Sequence, residues 1–209
     1  MLPLDTLVTL FGLSLLLGFT PGPDNLFVLM QSATHGRSAG LWVVLGLCTG
    51  LLLQTAAVAL GLAAVFAASA AAFTVLKMLG AAYLAYLAWQ AWRASPGPPQ
   101  DAGGAPRASA VQLVGRGIVM NLTNPKVVLF FLAFLPQFVE PQRGSVAWQL
   151  AGLGLVFIAA TLLAFGAVTY LAGFLGNMLR SSARAQRLMN RAAALVFAGL
   201  AARLALSQR

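Results

Sequence analysis

The chain has 209 residues, 60% of them hydrophobic and only 8% charged, with a mean hydropathy of +0.86, which excludes an ordinary water-soluble domain and implies an integral membrane protein. The formal charge of +9 arises from 13 Lys and Arg against 4 Asp and Glu. In a membrane chain such an excess reports loop topology and requires no nucleic-acid partner.

At about 20 apolar residues per span, the length holds about six spans and no sizeable soluble domain. The predicted fold is therefore all-α and polytopic. The first span runs from about Leu4 to Ala33 and carries its own interruption, Thr20-Pro21-Gly22-Pro23-Asp24-Asn25. Asp5 precedes it without any Lys or Arg, so the basic start of a cleavable signal peptide is missing and the span is expected to be retained. In hydrocarbon, non-helical backbone survives only against protein or a wet cavity. A carboxylate at that depth costs roughly 2.5 to 3.5 kcal/mol on insertion scales, and such residues face a bundle interior or a substrate path. Asp24 is thus a functional candidate, the bland alternative being a cap for the half-helix that restarts after Pro23.

A tight loop around His35, Gly36 and Arg37 follows, and His35, the single histidine, is expected there as a loop residue. The second span, about Gly40 to Ala63, has Gly46 and Gly50 four apart, a spacing that lets helices approach closely. Gln54 on the same span is either helix glue or a binding group. Cys48, the single cysteine, rules out an intramolecular disulfide and is expected to be packing. After a link near Ser69, the third span, about Ala72 to Trp92, bears Lys77, Tyr83 and Tyr86, expected as interface anchors.

From residue 93 to 112 the composition changes to a Pro/Gly-rich polar linker, too polar to pack. It separates residues 1–92 from 113–209 as two membrane repeats. The fourth span, about Val114 to Val139, is interrupted by Asn121, Thr123, Asn124, Pro125 and Lys126. A fifth runs from about Val146 to Phe174. A basic loop with Arg180, Arg184 and Arg187 then leads into the last, about Leu188 to Leu206.

Placing Pro23 over Pro125 superimposes Asp24 on Lys126, each one residue past a proline in the first helix of its half. Three spans per half is an odd number, so a duplication would insert the halves oppositely, a 3+3 inverted repeat whose broken first and fourth helices mark a substrate site. Both prolines lie on the order of 14 to 18 Å from one face at 1.5 Å per residue, near the middle of a ~30 Å core. Eight of the 13 Lys and Arg fall in the odd-numbered loops and four on the opposite side, with Lys126 inside the membrane. The positive-inside rule then makes the linker cytoplasmic and both termini periplasmic.

Pro21-Gly22-Pro23-Asp24-Asn25-Leu26 and Asn121-Leu122-Thr123-Asn124-Pro125-Lys126 together resemble the lysine exporter superfamily, specifically its homoserine/threonine efflux (RhtB-type) branch. The likeness spans nearly the whole chain, including Tyr83 and the basic loop before the last span. It implies a six-helix bacterial inner-membrane exporter of amino acids driven by proton exchange, with substrate, protons and lipid as its partners and a homo-oligomer left open. Exporters of basic amino acids in this superfamily tend to carry a carboxylate soon after the Asn-Pro pair, whereas Val127, Val128, Leu129 and Phe130 follow here. Small neutral, homoserine- or threonine-like substrates are therefore expected.

The chemistry of such a site can also be argued from the residues. A zwitterion needs an anion pocket and a cation pocket close together, and a broken helix has free N–H groups on its restarting half and free carbonyls on its ending half. Phe19 and Thr20 are expected to offer carbonyls, and Asp24 to bind an ammonium group or carry a proton, with Asn25 and Asn124 beside them. Lys126 lies at a helix N-terminus, where the dipole disfavours a cation. Its expected partner is Asp24 or a substrate carboxylate, unless it snorkels to the interface. A channel built on paired half-helices is the alternative, although opposite charges in the path suit a gated exporter better. An enzyme would need a nucleophile-base or metal constellation that the spans do not supply. No metal and no cofactor are expected.

Overall fold

The computed structural model describes residues 2–68, 70–94, 108–174 and 182–206, and among them every regular element is a helix. Ser69, residues 95–107 of the expected linker, Arg180 of the expected basic loop and Arg209 lie outside the described residues.

Helix α1, Leu4–Phe19, ends where Pro21 and Pro23 prevent its continuation, and α2, Pro23–His35, restarts with proline at its first position. The two meet at 63°. Gly36, at φ 90°, closes α2 in a backbone region that favours glycine. His35 is accordingly the last residue of α2 rather than part of a longer loop. The next two helices, α3 (Arg37–Ala68) and α4 (Ala70–Arg93), are each longer than the sequence implied.

Helix α5, Ala110–Thr123, starts earlier than expected because Ser109 and Gln112 form a capping box, each side chain satisfying the other's free backbone N–H. Residues 110–112, assigned above to the linker, are therefore helical. The expected wide interruption of this span is confined to Asn124, with Asn121 and Thr123 still in α5. Then α6, Pro125–Leu129, continues at 51° to α5 for five residues before relaxing into a π-turn at Phe130–Phe134 and a 3₁₀ turn at Leu135–Phe138. The last two helices are α7 (Val146–Tyr170) and α8 (Ala183–Leu206). Arg184 and Arg187 belong to the first turns of α8, not to a loop.

The α3 stretch Arg37–Gly61, α7 and α8 are each long and apolar enough to cross a membrane, and α1–α2 and α5–α6 pass as bent pairs. With 24 residues, α4 is of spanning length as well, about 36 Å. Leu60 (76% exposed), Val111 (82%) and Leu188 (70%) point outward. Such a surface would aggregate in water and is unexceptional against lipid. The chain is a polytopic, all-helical membrane protein.

Packing places α1 against α7, α5 against α3, α3 against α7, and α4 against α8. A methyl group on Gly46 would strike the Val114 carbonyl, and one on Gly117 would lie 2.5 Å from that of Val43. The close approach that the glycine spacing allows is thus present, between α3 and α5, and it holds the second broken helix in place. Lys77 is not an interface anchor: it is buried within α4. The exposed aromatic edge of that helix is Tyr86, Trp89 and Trp92.

Candidate functional site

The two helix breaks meet inside the bundle. At the first, α1 ends with carbonyls that lack an intrahelical donor, and the Asn25 side chain folds back to donate through Nδ2 to the carbonyls of Gly18 (2.8 Å) and Thr20 (2.6 Å). Asn25 is thereby a built-in C-cap for the preceding half-helix. From the second break the Lys126 Nζ donates to the carbonyls of Leu17 and Thr20, each at 3.4 Å. Its stem passes over Gly22, where an added Cβ would lie 3.2 Å from Nζ. Lys126 has its backbone at the unfavourable N-terminal end of α6, but its ammonium sits at the negative end of the α1 dipole. Neither snorkelling nor a direct ion pair is needed to explain it.

Asp24 follows the opposite logic. It is the second residue of α2, where the dipole favours a carboxylate, and it is only 3% exposed. Gly22 is the N-cap residue of α2 and no side chain caps that end, so the reading of Asp24 as a helix cap fails. Its Oδ2 instead accepts from Asn124 Nδ2 at 2.6 Å. Asn124 serves twice, since its Oδ1 accepts from the Lys126 backbone N–H at 3.0 Å and caps α6. One neutral amide therefore links the acid to the restart of the second helix. Asp24 and Lys126 do not form an ion pair within 4.0 Å, whereas Arg143 and Glu140, near the surface, do.

Asp24 Oδ1, Asn25 Oδ1 and Asn121 Oδ1 are buried without a hydrogen-bond partner. Each such atom costs about 1 to 3 kcal/mol if nothing satisfies it. All three are acceptors, so each can take a hydrogen bond from a bound donor. Asp24, Asn121 and Lys126 share a cavity of about 20 Å³ with Gly18, Thr161 and Phe157, enough for a single water. On the other side of the breaks lies a cavity of about 510 Å³, reached by Pro21, Gly22, Pro23, Asn124, Pro125 and Lys126. Lys126 lines both.

The structure brings together Thr20, Asp24, Asn25, Asn124 and Lys126, and puts Pro21, Gly22, Pro23 and Pro125 at the wall of the larger cavity. The α1 carbonyls in use are those of Leu17, Gly18 and Thr20 rather than Phe19, and the protein's own donors already occupy them. Asn121 and Thr161 were not singled out as site residues. Asn121 belongs to the second motif and shared its signal, whereas Thr161 is a hydroxyl in an apolar helix with nothing local to mark it. Tyr83, expected as an interface anchor, lines the 510 Å³ cavity instead. Among the described residues no His, Cys, Asp and Glu group could hold a metal ion.

A multi-pass bundle with two broken helices crossing around an intramembrane acid and base has the architecture of a membrane translocator. The chain belongs to the LysE type translocator family, which it matches over residues 10–208. It is 34% identical to the homoserine/homoserine lactone efflux protein of Salmonella typhimurium over 143 residues, 66% of either chain. With the leucine efflux protein of an Enterobacter species it shares 30% identity over 192 residues, 88% of each. A membrane protein of Vibrio cholerae is 31% identical over 162 residues, covering 77% of this chain and 78% of that protein. No solved structure matches the chain.

Proposed function

We propose that this protein exports small neutral amino acids across the bacterial inner membrane in exchange for protons. The observation that carries this reading is a buried Asp24 carboxylate oxygen with no partner, in a cavity that it shares with the unpartnered amide oxygen of Asn121 and with Lys126. An α-ammonium group brings three N–H donors, and a proton on Asp24 brings one. Ammonium and proton compete for the same oxygen, and competition at one site is what exchange requires. Lys126 is the cation that receives the substrate carboxylate. The relatives named for homoserine and leucine efflux support an amino-acid cargo. Among the described residues lining either cavity there is no second acid, which supports a neutral one.

The inverted repeat belongs to the same proposal. Exchanging the halves maps α1 on α7 onto α5 on α3, and each of the α3–α7 and α4–α8 pairs onto itself, and these packings support the repeat. Both broken helices restart with proline at the first position. The excess of Lys and Arg on one side places the end of α4 in the cytoplasm and both termini in the periplasm. Reporter fusions after Arg209 are expected to read as periplasmic and those within residues 103–109 as cytoplasmic; the reverse pattern refutes the orientation.

A channel would need a continuous path. Phe130, Phe131 and Phe134 are fully buried, and Phe130 and Phe131 each pack against Phe157 with ring centroids 5.1 Å apart. Such filling favours a gated exporter. The deciding measurement is counterflow of a labelled amino-acid mixture in proteoliposomes with an imposed pH gradient. Uptake accelerated by that gradient is expected for neutral amino acids and not for lysine or arginine. Stronger transport of lysine than of every neutral amino acid would overturn the substrate class.

A further inference from the structure

Where α4 ends and α8 begins, a charged cluster lies outside the Asp24 site. Asn190 on α8 donates through Nδ2 to the Ala94 carbonyl at 3.3 Å, which joins the two helix ends. Beside that bond Trp89 and Trp92 stand exposed, one turn apart on α4 and about 4.5 Å along its axis. Each carries a guanidinium: Arg93 lies over the Trp89 ring at 4.7 Å, and Arg191, from α8, over the Trp92 ring at 5.5 Å. Tyr86 continues this aromatic face toward the middle of the membrane, its ring 6.2 Å from that of Trp89. On α8, Arg184 and Arg187 are exposed in the turns before Arg191, at a spacing of three and seven residues that keeps them on one side of the helix. Leu188 and Leu195 are exposed along the same stripe.

Trp and Tyr collect at the level of the lipid head groups, so this face sits where acyl chains give way to phosphates. Stacking uses the flat face of a guanidinium and leaves its in-plane N–H donors free, the geometry that takes a pair of phosphate oxygens. Neither Arg93 nor Arg191 has a carboxylate within 4.0 Å among the described residues. The acids lie elsewhere. Asp5 and Glu140 share a cavity with Arg203, near the far end of α8, Asp24 is at the breaks, and Asp101 lies outside the described residues. A head group that adds an ammonium to its phosphate therefore finds no carboxylate here among the described residues, whereas one whose only charge is the phosphate is matched.

We propose that the junction of α4 and α8 is a binding site for an anionic phospholipid, its phosphodiester held by Arg93 and Arg191 over the two tryptophans and its acyl chains along Leu188 and Leu195. Arg184 and Arg187 add to the positive field around the head group. The site is independent of what the protein carries and of which way its halves are inserted. Gln90, Ala94 and Asn190 at the same junction line the 510 Å³ cavity, so the bound lipid forms part of its rim. A phosphate shared by Arg93 and Arg191 also ties α4 to α8, the two helices that wall the cavity on that side.

Native mass spectrometry of the purified full chain, with phosphatidylglycerol and phosphatidylethanolamine offered in equal amounts, tests the site. The wild-type protein is expected to retain phosphatidylglycerol in clear excess, and added phosphatidylglycerol should raise its melting temperature in detergent. Arg93→Gln with Arg191→Gln should weaken phosphatidylglycerol binding about 30-fold, two arginines at ~1 kcal/mol each. Arg203→Gln removes the same charge near the far end of α8 and should leave binding unchanged. Trp89→Leu with Trp92→Leu keeps every charge, and it should still weaken binding several-fold because the guanidiniums lose the surfaces that orient them. Equal retention of the two lipids by the wild type, or unchanged phosphatidylglycerol binding in either double variant, would overturn the site. If the arginine variant does not fold, the tryptophan variant gives the decision. Glycerol phosphate supplies the head group without chains: it is expected not to raise the melting temperature, and a rise equal to that with phosphatidylglycerol would overturn the assignment to a lipid.

Discussion

The two broken helices do the same thing to the backbone by different means. The first interrupts three residues, Thr20 to Gly22, bends by 63° and resumes as a regular 13-residue helix. The second interrupts only Asn124, bends by 51° and resumes for five residues before loosening into π and 3₁₀ turns. The first carries the acid and has its loose carbonyls closed by Asn25; the second carries the base and is capped by Asn124. Each then completes the other, since Lys126 reaches the α1 carbonyls and Asn124 reaches Asp24. A residue-for-residue equivalence of Asp24 and Lys126 therefore describes their place in the chain, while their partners make them complementary. The π and 3₁₀ turns after the second break have no counterpart after the first.

Four sets of variants test this asymmetry. The largest effect is expected from Asp24→Asn: export should fall by about 100-fold or more, equivalent to ~2.7 kcal/mol, with normal membrane abundance and no remaining response to external pH. Wild-type flux should rise as external pH falls, because protons then compete better for Asp24 from outside. An Asp24→Asn protein that exports at the wild-type rate at every external pH tested would remove Asp24 from the mechanism.

Lys126→Met comes next. It leaves the buried Asp24 carboxylate without a nearby cation and takes two donors from the α1 carbonyls, which should destabilise the protein. Export should fall by somewhat less than in Asp24→Asn and abundance should drop, whereas Asp24→Asn with Lys126→Met should recover abundance without transport. Immunoblots of membrane fractions beside counterflow assays check this; a double variant no more abundant than Lys126→Met alone would show that the two charges do not compensate.

The paired asparagines probe the breaks directly. Loss of a cap costs about 0.5 to 2 kcal/mol, so Asn25→Ala and Asn124→Ala should lower thermal stability in detergent to a similar degree. Only Asn124→Ala also frees Asp24 of its donor, and it should reduce export about tenfold more than Asn25→Ala at equal abundance, a difference of ~1.4 kcal/mol. Equal transport losses would mean that Asn124 matters only as a cap.

Smallest are the glycine substitutions that support each break. A methyl at Gly18 meets the Ala164 Cβ at 2.8 Å, and one at Gly46 meets a backbone carbonyl of α5. Backbone yields less than a side chain, so Gly46→Ala should cost more stability than Gly18→Ala. At Gly115 nothing lies within 4 Å, and Gly115→Ala should stabilise by about 1 kcal/mol through helix propensity alone. Melting temperatures of the three purified variants rank them.

Much of this molecule is written locally. Apolar runs of spanning length, the Pro-Gly-Pro and Asn-Pro breakers, the glycine spacing of α3 and the presence of an acid and a base at the breaks are properties of neighbouring residues, and the sequence alone sufficed for them. Boundaries differ where a short-range signal competes with composition: Ser109 and Gln112 start α5 inside a polar stretch, and Arg184 and Arg187 lie in α8 rather than in a loop. The partners at the site could not be read in this way. The reach of Lys126 to carbonyls 106 and 109 residues away, the bond of Asn124 to Asp24 across 100 residues, and the meeting of Tyr83 with Phe197 at one cavity depend on how four helices cross. Hydropathy and breakers act through the backbone of one segment, so they are legible in one segment. Whether a buried charge finds an opposite charge, a helix dipole or a neutral amide depends on the few ångströms by which helices approach, and that was decided only by the tertiary structure.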